Sequence, residues 1–234
     1  MINLYSLNLN FFNIEQITLL PHIEEKYQTF KSKKRQIEYV ASQWLRHYVF
    51  SKILGVDQGQ LSFLKDQNNR PFLANDRSYD FNITHSGHWL IMAVTNKGHI
   101  GIDLESLNRK HTYLAIAEQF FSDKEFYFLK ALNKPEQLTY FYLIWTLKEA
   151  RLKCTGQGIA NGLKQVNYIF DDDKIIPLEK KISYQYISFM LDDQHIGSIC
   201  LKSDLSLKPQ MINCYQVQKG SELVAFDLDM IKQS

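Results

Sequence analysis

The chain has 234 residues, with 27 Lys+Arg against 25 Asp+Glu, 45% hydrophobic residues and 13% aromatics. It is too apolar and too evenly charged for a disordered segment, and its 10 Gly and 5 Pro exclude collagen-like and linker classes. A formal charge of +2 supplies no global drive towards nucleic acid or an acidic membrane surface. The length suits one or two domains with a real core. Cys154, Cys200 and Cys214 are odd in number and widely spaced, which fits neither a disulfide framework nor a zinc ribbon. They read as reduced thiols of a cytoplasmic protein. The first 20 residues lack the basic start and clean apolar run of a signal peptide, and apolar runs such as 89–94 are too short to span a bilayer. A soluble protein with no membrane partner is expected.

Residues 2–9 alternate apolar and polar and read as a half-buried strand. A short helix is expected over 17–25. The basic run Lys31, Lys33, Lys34, Arg35 leads into a long amphipathic helix over 37–54, with Val40, Trp44, Tyr48 and Ile53 at helical spacing and Gly55 as its stop. Residues 60–64 read as a strand, and 68–72 as a turn. Strands follow over 79–84, 89–95 and 99–104, the last two joined by the Asn96-Lys97-Gly98 turn. Helices are expected over 115–121, over 126–132 behind a Ser122-x-x-Glu125 capping box, and over 135–154, ended by Gly156, Gly158 and Gly162. Strand-like segments return at 168–170, 182–191, 195–200 and 211–217, with turns at 171–174 and 192–194. Each half thus holds strands and one long helix. The expected class is α/β (α+β): two similar lobes in one chain, an N-terminal lobe over 1–105 and a C-terminal lobe over 106–234.

Three constellations could carry chemistry. Asp103 and Glu105 stand at i and i+2 on an apolar strand, so both side chains share one face. Glu149 and Lys153 stand one helical turn apart. Three carboxylates on such elements form an oxygen set for a hard divalent cation, and Lys153 could lie beside a bound phosphate. The same spacings also occur as a solvated strand end and as a surface helix pair. Second, a strand runs into Thr84-His85-Ser86-Gly87, whose hydroxyls, backbone N–H groups and imidazole can hold phosphate oxygens; a polar turn is the plainer alternative. Third, Lys31, Lys33, Lys34 and Arg35 read most simply as a solvated helix start; because they oppose the helix dipole there, an anion could compensate unless the helix starts later, and Arg70 sits in a rigid turn before Pro71. His85 and His88 lack a third ligand for zinc, while His22, His47, His99, His111 and His195 stand alone.

In this order the segments resemble the 4′-phosphopantetheinyl transferases of the surfactin-synthetase-activating (Sfp) type. The family pattern Gly-Ile/Val-Asp-x-Glu appears as Gly101-Ile-Asp103-Leu-Glu105, and Trp-x-x-Lys-Glu-Ala/Ser-x-x-Lys as Trp145-Thr-Leu-Lys148-Glu149-Ala150-Arg-Leu-Lys153. Asn82-Ile-Thr84-His85-Ser86-Gly87 matches the family's preceding segment, and Asn69-Arg70-Pro71 its Gly-Lys-Pro-like turn. Phe120-Phe121-Ser122-x-x-Glu125 fits the stretch between the two signatures. The resemblance covers roughly residues 20–165 by motif. It implies the two-lobed 4′-phosphopantetheinyl transferase fold with the active site in the cleft between lobes. It implies transfer of the 4′-phosphopantetheine of coenzyme A to a serine of an apo acyl or peptidyl carrier protein, with release of adenosine 3′,5′-bisphosphate. By the same resemblance Asp103, Glu105 and Glu149 hold Mg²⁺, Glu149 is the candidate base, and Lys153 stabilises the departing bisphosphate. Lys34, Arg35, Arg70, Thr84 and His85 bind coenzyme A, His85 taking the ribose 3′-phosphate. Asp103 and Lys153 complete that set, and Glu125 is an acidic position near the site. Arg70 stands where the family often has Lys, and Thr84 where it has Ser. The intact Asp103, Glu105, Glu149 and Lys153 argue against a non-catalytic coenzyme A binder. Two lobes in one chain make a monomer the expectation.

Overall fold

The strand β1 (Ile2–Asn8) opens the chain, and Pro21 starts α1 (Pro21–Gln28). This helix begins later than the expected 17–25, because Pro at the first helical position fixes φ and has no N–H to leave unpaired. Helix α2 (Lys33–Leu54) starts four residues before the periodic apolar residues. Ser32 caps it by accepting from the Arg35 backbone N–H at 3.5 Å, which draws Lys33, Lys34 and Arg35 into the first turn. Gly55 ends it in the left-handed region, φ 67°. The short hairpin β2 (Phe63–Lys65) and β3 (Pro71–Leu73) follows, turning through Asn69 at φ 61°. Then come β4 (Asp80–Ser86), β5 (Trp89–Thr95) and β6 (His99–Ser106).

After β6 come helices α3 (Tyr113–Phe120), α4 (Asp123–Ala131) and α5 (Lys134–Thr155). The capping box is present: Ser122 accepts from the Glu125 N–H, and the Glu125 carboxylate accepts from the Ser122 N–H. The last third is strand: β7 (Tyr168–Asp171), β8 (Lys174–Pro177), β9 (Tyr184–Asp192), β10 (His195–Lys202), β11 (Ile212–Val217), β12 (Leu223–Phe226) and β13 (Asp229–Gln233). β3, β8, β12 and β13 have three to five residues each, too few to show a period in sequence. This computed structural model describes residues 1–108, 112–158, 162–171, 174–178, 184–204, 207–218 and 222–233. His111, the centre of the turn expected at 171–174, and the start of the strand expected at 182–191 lie outside the described residues.

Two main sheets result, in strand orders β12-β11-β1-β5-β4 and β6-β10-β9-β13-β8-β7. They do not divide at residue 105 as the sequence suggested. β6, from the N-terminal half, joins the second sheet, and β11 returns to pair in parallel with β1 in the first. Period-2 alternation explains the layers. Leu90, Met92 and Val94 of β5 pack with Ala41, Leu45 and Val49 of α2, while Ile91 and Ala93 meet Ile100, Ile102 and Leu104 of β6 between the sheets. Ile196 and Cys200 of β10 face Ile144, Leu147 and Ala150 of α5. The stack is therefore helix, sheet, sheet, helix.

The edges of the two sheets, β4 and β6, meet through side chains. Every second residue of β4 points at β6. Asp80 accepts from the Ile100 N–H at 2.7 Å, Asn82 from Ile102 at 3.0 Å, and Ser86 from Ser106 at 3.0 Å. These bonds satisfy backbone donors that an exposed edge strand would leave open. They also set the residues of the functional site in register.

Candidate active site

Asp103 and Glu105 both lie on the α5 face of β6, as the pleat requires. The close approach of α5 depends on Gly101, because a Cβ there would collide with the carbonyl of Ala150 and the N–H of Cys154. That approach brings the Lys153 ammonium to 2.6 Å from Asp103 Oδ1. Thr84, reaching over from β4, donates to the same oxygen at 3.1 Å and accepts from Lys153 at 3.2 Å. One strand from each sheet and the helix thus converge on one carboxylate. Asp103 Oδ2 is buried and has no hydrogen-bond partner among the described residues. Ser86 donates to Glu105 Oε2 at 3.2 Å.

Glu149 is buried on α5, one turn before Lys153. Its carboxyl is pushed up from an ordinary 4.5 to about 7, first by burial, then by the charge of Asp103, with Glu105 adding and Lys153 opposing. The three carboxylates therefore sense one another, although no three acidic, His or Cys side chains among the described residues form a ready metal-ligand set. The donor chemistry still suits a hard cation: all-oxygen ligands, mutually repelling charges, and the orphaned Asp103 Oδ2.

His85 Nδ1 lies 3.6 Å from Glu38 on α2, and Lys34 Nζ lies 3.8 Å from the same Glu38 oxygen. The Lys34 and His85 side chains are 72% and 51% exposed, so both can reach a ligand. Arg35 is also exposed. Arg70 is different. Its side chain is turned inward, with donors to Asp80 Oδ1 and Oδ2 at 2.5 and 2.7 Å, the Ile100 carbonyl at 2.7 Å and the Lys153 carbonyl at 3.1 Å. The expected phosphate contact is displaced by a buried carboxylate ten residues on. Burial would raise Asp80, yet hydrogen bonds from His99 and Arg70 hold it below its ordinary value. Glu125 is likewise engaged inside the protein. It is buried against Lys148 at 2.9 Å and accepts from the Ser122 and Tyr168 N–H groups. Lys148 in turn donates to the carbonyls of Leu163 and Val166. The Lys of the Trp-x-x-Lys-Glu segment thus folds the chain back behind α5.

The sequence reading missed Asp80 and Asn82 in the seam, although their period of two with Thr84 and Ser86 was legible. It also missed that His195 is paired: its Nδ1 donates to Asp192 at 2.7 Å across a hairpin turn.

Residues 11–97 match the family model described as 4′-phosphopantetheinyl transferase, N-terminal, and residues 99–200 match that of the 4′-phosphopantetheinyl transferase superfamily. The chain is 30% identical over 183 residues to 4′-phosphopantetheinyl transferase Sfp of Bacillus subtilis (strain 168), across 77% of this chain and 80% of that protein. It belongs to the 4′-phosphopantetheinyl transferase family. A second 4′-phosphopantetheinyl transferase of Bacillus subtilis is 32% identical across 66% of this chain and 68% of its own length. That of Bacillus pumilus, psf-1, is 35% identical across 55% and 54%. The chain thus matches from about half to four fifths of these relatives' lengths. The two transferase family models meet at the turn between β5 and β6, where the chain passes from the first sheet to the second.

Proposed function

We propose that the protein moves the 4′-phosphopantetheine group of coenzyme A onto a serine of an apo acyl or peptidyl carrier protein and releases adenosine 3′,5′-bisphosphate. The observation that carries this reading is the Lys153–Asp103–Thr84 junction, where the family's two signature segments and its Thr-His-Ser-Gly segment meet on one carboxylate. Asp103, Glu105 and Glu149 would hold Mg²⁺, which when bound neutralises phosphate charge. The serine oxygen forms a bond to the phosphorus that carries pantetheine, and the pyrophosphate P–O bond breaks. Glu149, poised near neutrality, accepts the serine proton. Lys153 neutralises charge on the departing bisphosphate.

Lys34 and His85, converging on Glu38, and Arg35 on the first turn of α2 form a cationic shelf for the phosphates of coenzyme A. A helix start with three basic residues and no acid in its first turn favours an anion there. The seam lies within one chain, which supports a monomer. Free, buried Cys154, Cys200 and Cys214 favour a reducing, cytoplasmic setting. No helix among the described residues is long and apolar enough to cross a membrane. The test is to incubate the protein with coenzyme A, Mg²⁺ and several apo carrier proteins and to weigh the carriers by mass spectrometry. A gain of one phosphopantetheine on the carrier serine is expected, and no gain on any carrier refutes the reading.

A further inference from the structure

The Gly87 turn that ends β4 rests on a residue outside every motif. Gly87 turns at φ 59°, and a Cβ at this position would lie 2.6 Å from Nε2 of His195, 3.4 Å from its Cε1 and 3.6 Å from its Cδ2. The glycine backbone is therefore seated on the imidazole edge. His195 opens β10 in the second sheet, whereas Gly87 joins β4 to β5 in the first. His195 is 1% exposed, and Nε2 has no hydrogen-bond partner among the described residues. Asp192 fixes the ring from behind: one oxygen takes the His195 Nδ1 bond at 2.7 Å, the other accepts from Trp89 Nε1 at 2.7 Å. Trp89 is the second residue after Gly87, so the carboxylate ties both sides of the contact. His88 packs edge-on against the same ring, 5.1 Å between centroids.

We propose that His195, held by Asp192, is a positioning residue for the Gly87 turn at the end of β4 and, through Ser86, for the carboxylate of Glu105. The chain of contacts is continuous. His195 sets Gly87, the neighbouring Ser86 accepts from the Ser106 N–H, and its hydroxyl donates to Glu105 Oε2. A ring fixed by a carboxylate beneath a group near a cation site orients that site as outer-layer partners do. The inference rests on the cation reading of Glu105 given above.

His195→Asn keeps an amide donor where Nδ1 stands but removes the ring edge under Gly87. The probe is Mn²⁺, titrated by calorimetry well below the melting temperature and read beside KM and kcat for coenzyme A. Outer-layer support predicts about tenfold weaker Mn²⁺ binding with far-UV circular dichroism unchanged. A residue that merely fills space would lower the melting temperature and leave the isotherm as it was, and that result overturns the proposal. Because His195→Asn also removes packing, the contact is checked separately by a double-mutant cycle. Gly87→Ala clashes with the native ring, and His195→Ala should relieve part of that loss. Strictly additive melting shifts would show that the two residues do not touch. Mn²⁺ binding and transfer by the unsubstituted protein test the site reading itself, so the two failures are separable.

Discussion

Thr84 on β4 and Lys153 on α5 stand 3.2 Å apart and share the same oxygen of Asp103. The contact joins an edge of one sheet to the helix that covers the other. Replacing Lys153 tests both halves of its role. Lys153→Ala should slow transfer by about 10²-fold or more, as expected when a donor to developing charge is removed. It also leaves a buried carboxylate without its cation, and added Mg²⁺ should raise the melting temperature of this variant more than that of the parent protein. A variant with parental kcat would remove Lys153 from the chemistry.

Arg70 should behave as a structural residue. Arg70→Ala strands Asp80 and should cost about 3 kcal/mol in chemical denaturation, because one partner of a buried pair is left uncompensated. Calorimetry at low temperature should find coenzyme A affinity nearly unchanged. A large loss of affinity without a loss of stability would restore the phosphate-binding role.

Glu149 predicts a pH dependence with a definite sign. Its folded value, raised to about 7, lies above its ordinary 4.5, so the group contributes stability that is fully present below pH 4.5 and lost as pH rises through 7. Protons and cation compete for the same oxygens, so the melting shift produced by Mg²⁺ should grow from pH 6 to pH 8. Glu149→Gln should flatten this growth. A Mg²⁺ effect independent of pH in the parent protein would mean that Glu149 does not face the cation.

The Glu125–Lys148 pair is fully buried, with both side chains 0% exposed. Glu125→Ala should destabilise by about 3–5 kcal/mol. The double replacement Glu125→Leu with Lys148→Met should recover much of that loss, read as denaturation midpoints, since no lone charge remains inside. A double variant as unstable as the single would show that the Tyr168 and Ser122 hydrogen bonds dominate.

The sequence revealed the long helices because Val40, Trp44 and Tyr48 repeat with the helical period. It revealed the shared face of Asp103 and Glu105 because a strand allows no other placement. It could not reveal Arg70's direction. A cation before a proline looks the same whether it faces a ligand or a carboxylate on the next strand. His195 was hidden for a similar reason: a histidine is solitary in sequence until a hairpin folds Asp192 onto it. The sheet membership of β6 and β11 was hidden because strand exchange leaves no mark on local periodicity. β6 and β11 carry no local mark of their partner strands, and only pairing says which sheet receives them.

That exchange bears on how the molecule is made. β1 lies between β5 and β11, so a strand at residues 2–8 waits for a neighbour made some two hundred residues later. While the chain leaves the ribosome, one side of β1 remains an open hydrogen-bonding edge, exposed to stray pairing with other nascent chains. Fragments ending before residue 212 should therefore aggregate rather than accumulate as a free amino-terminal half.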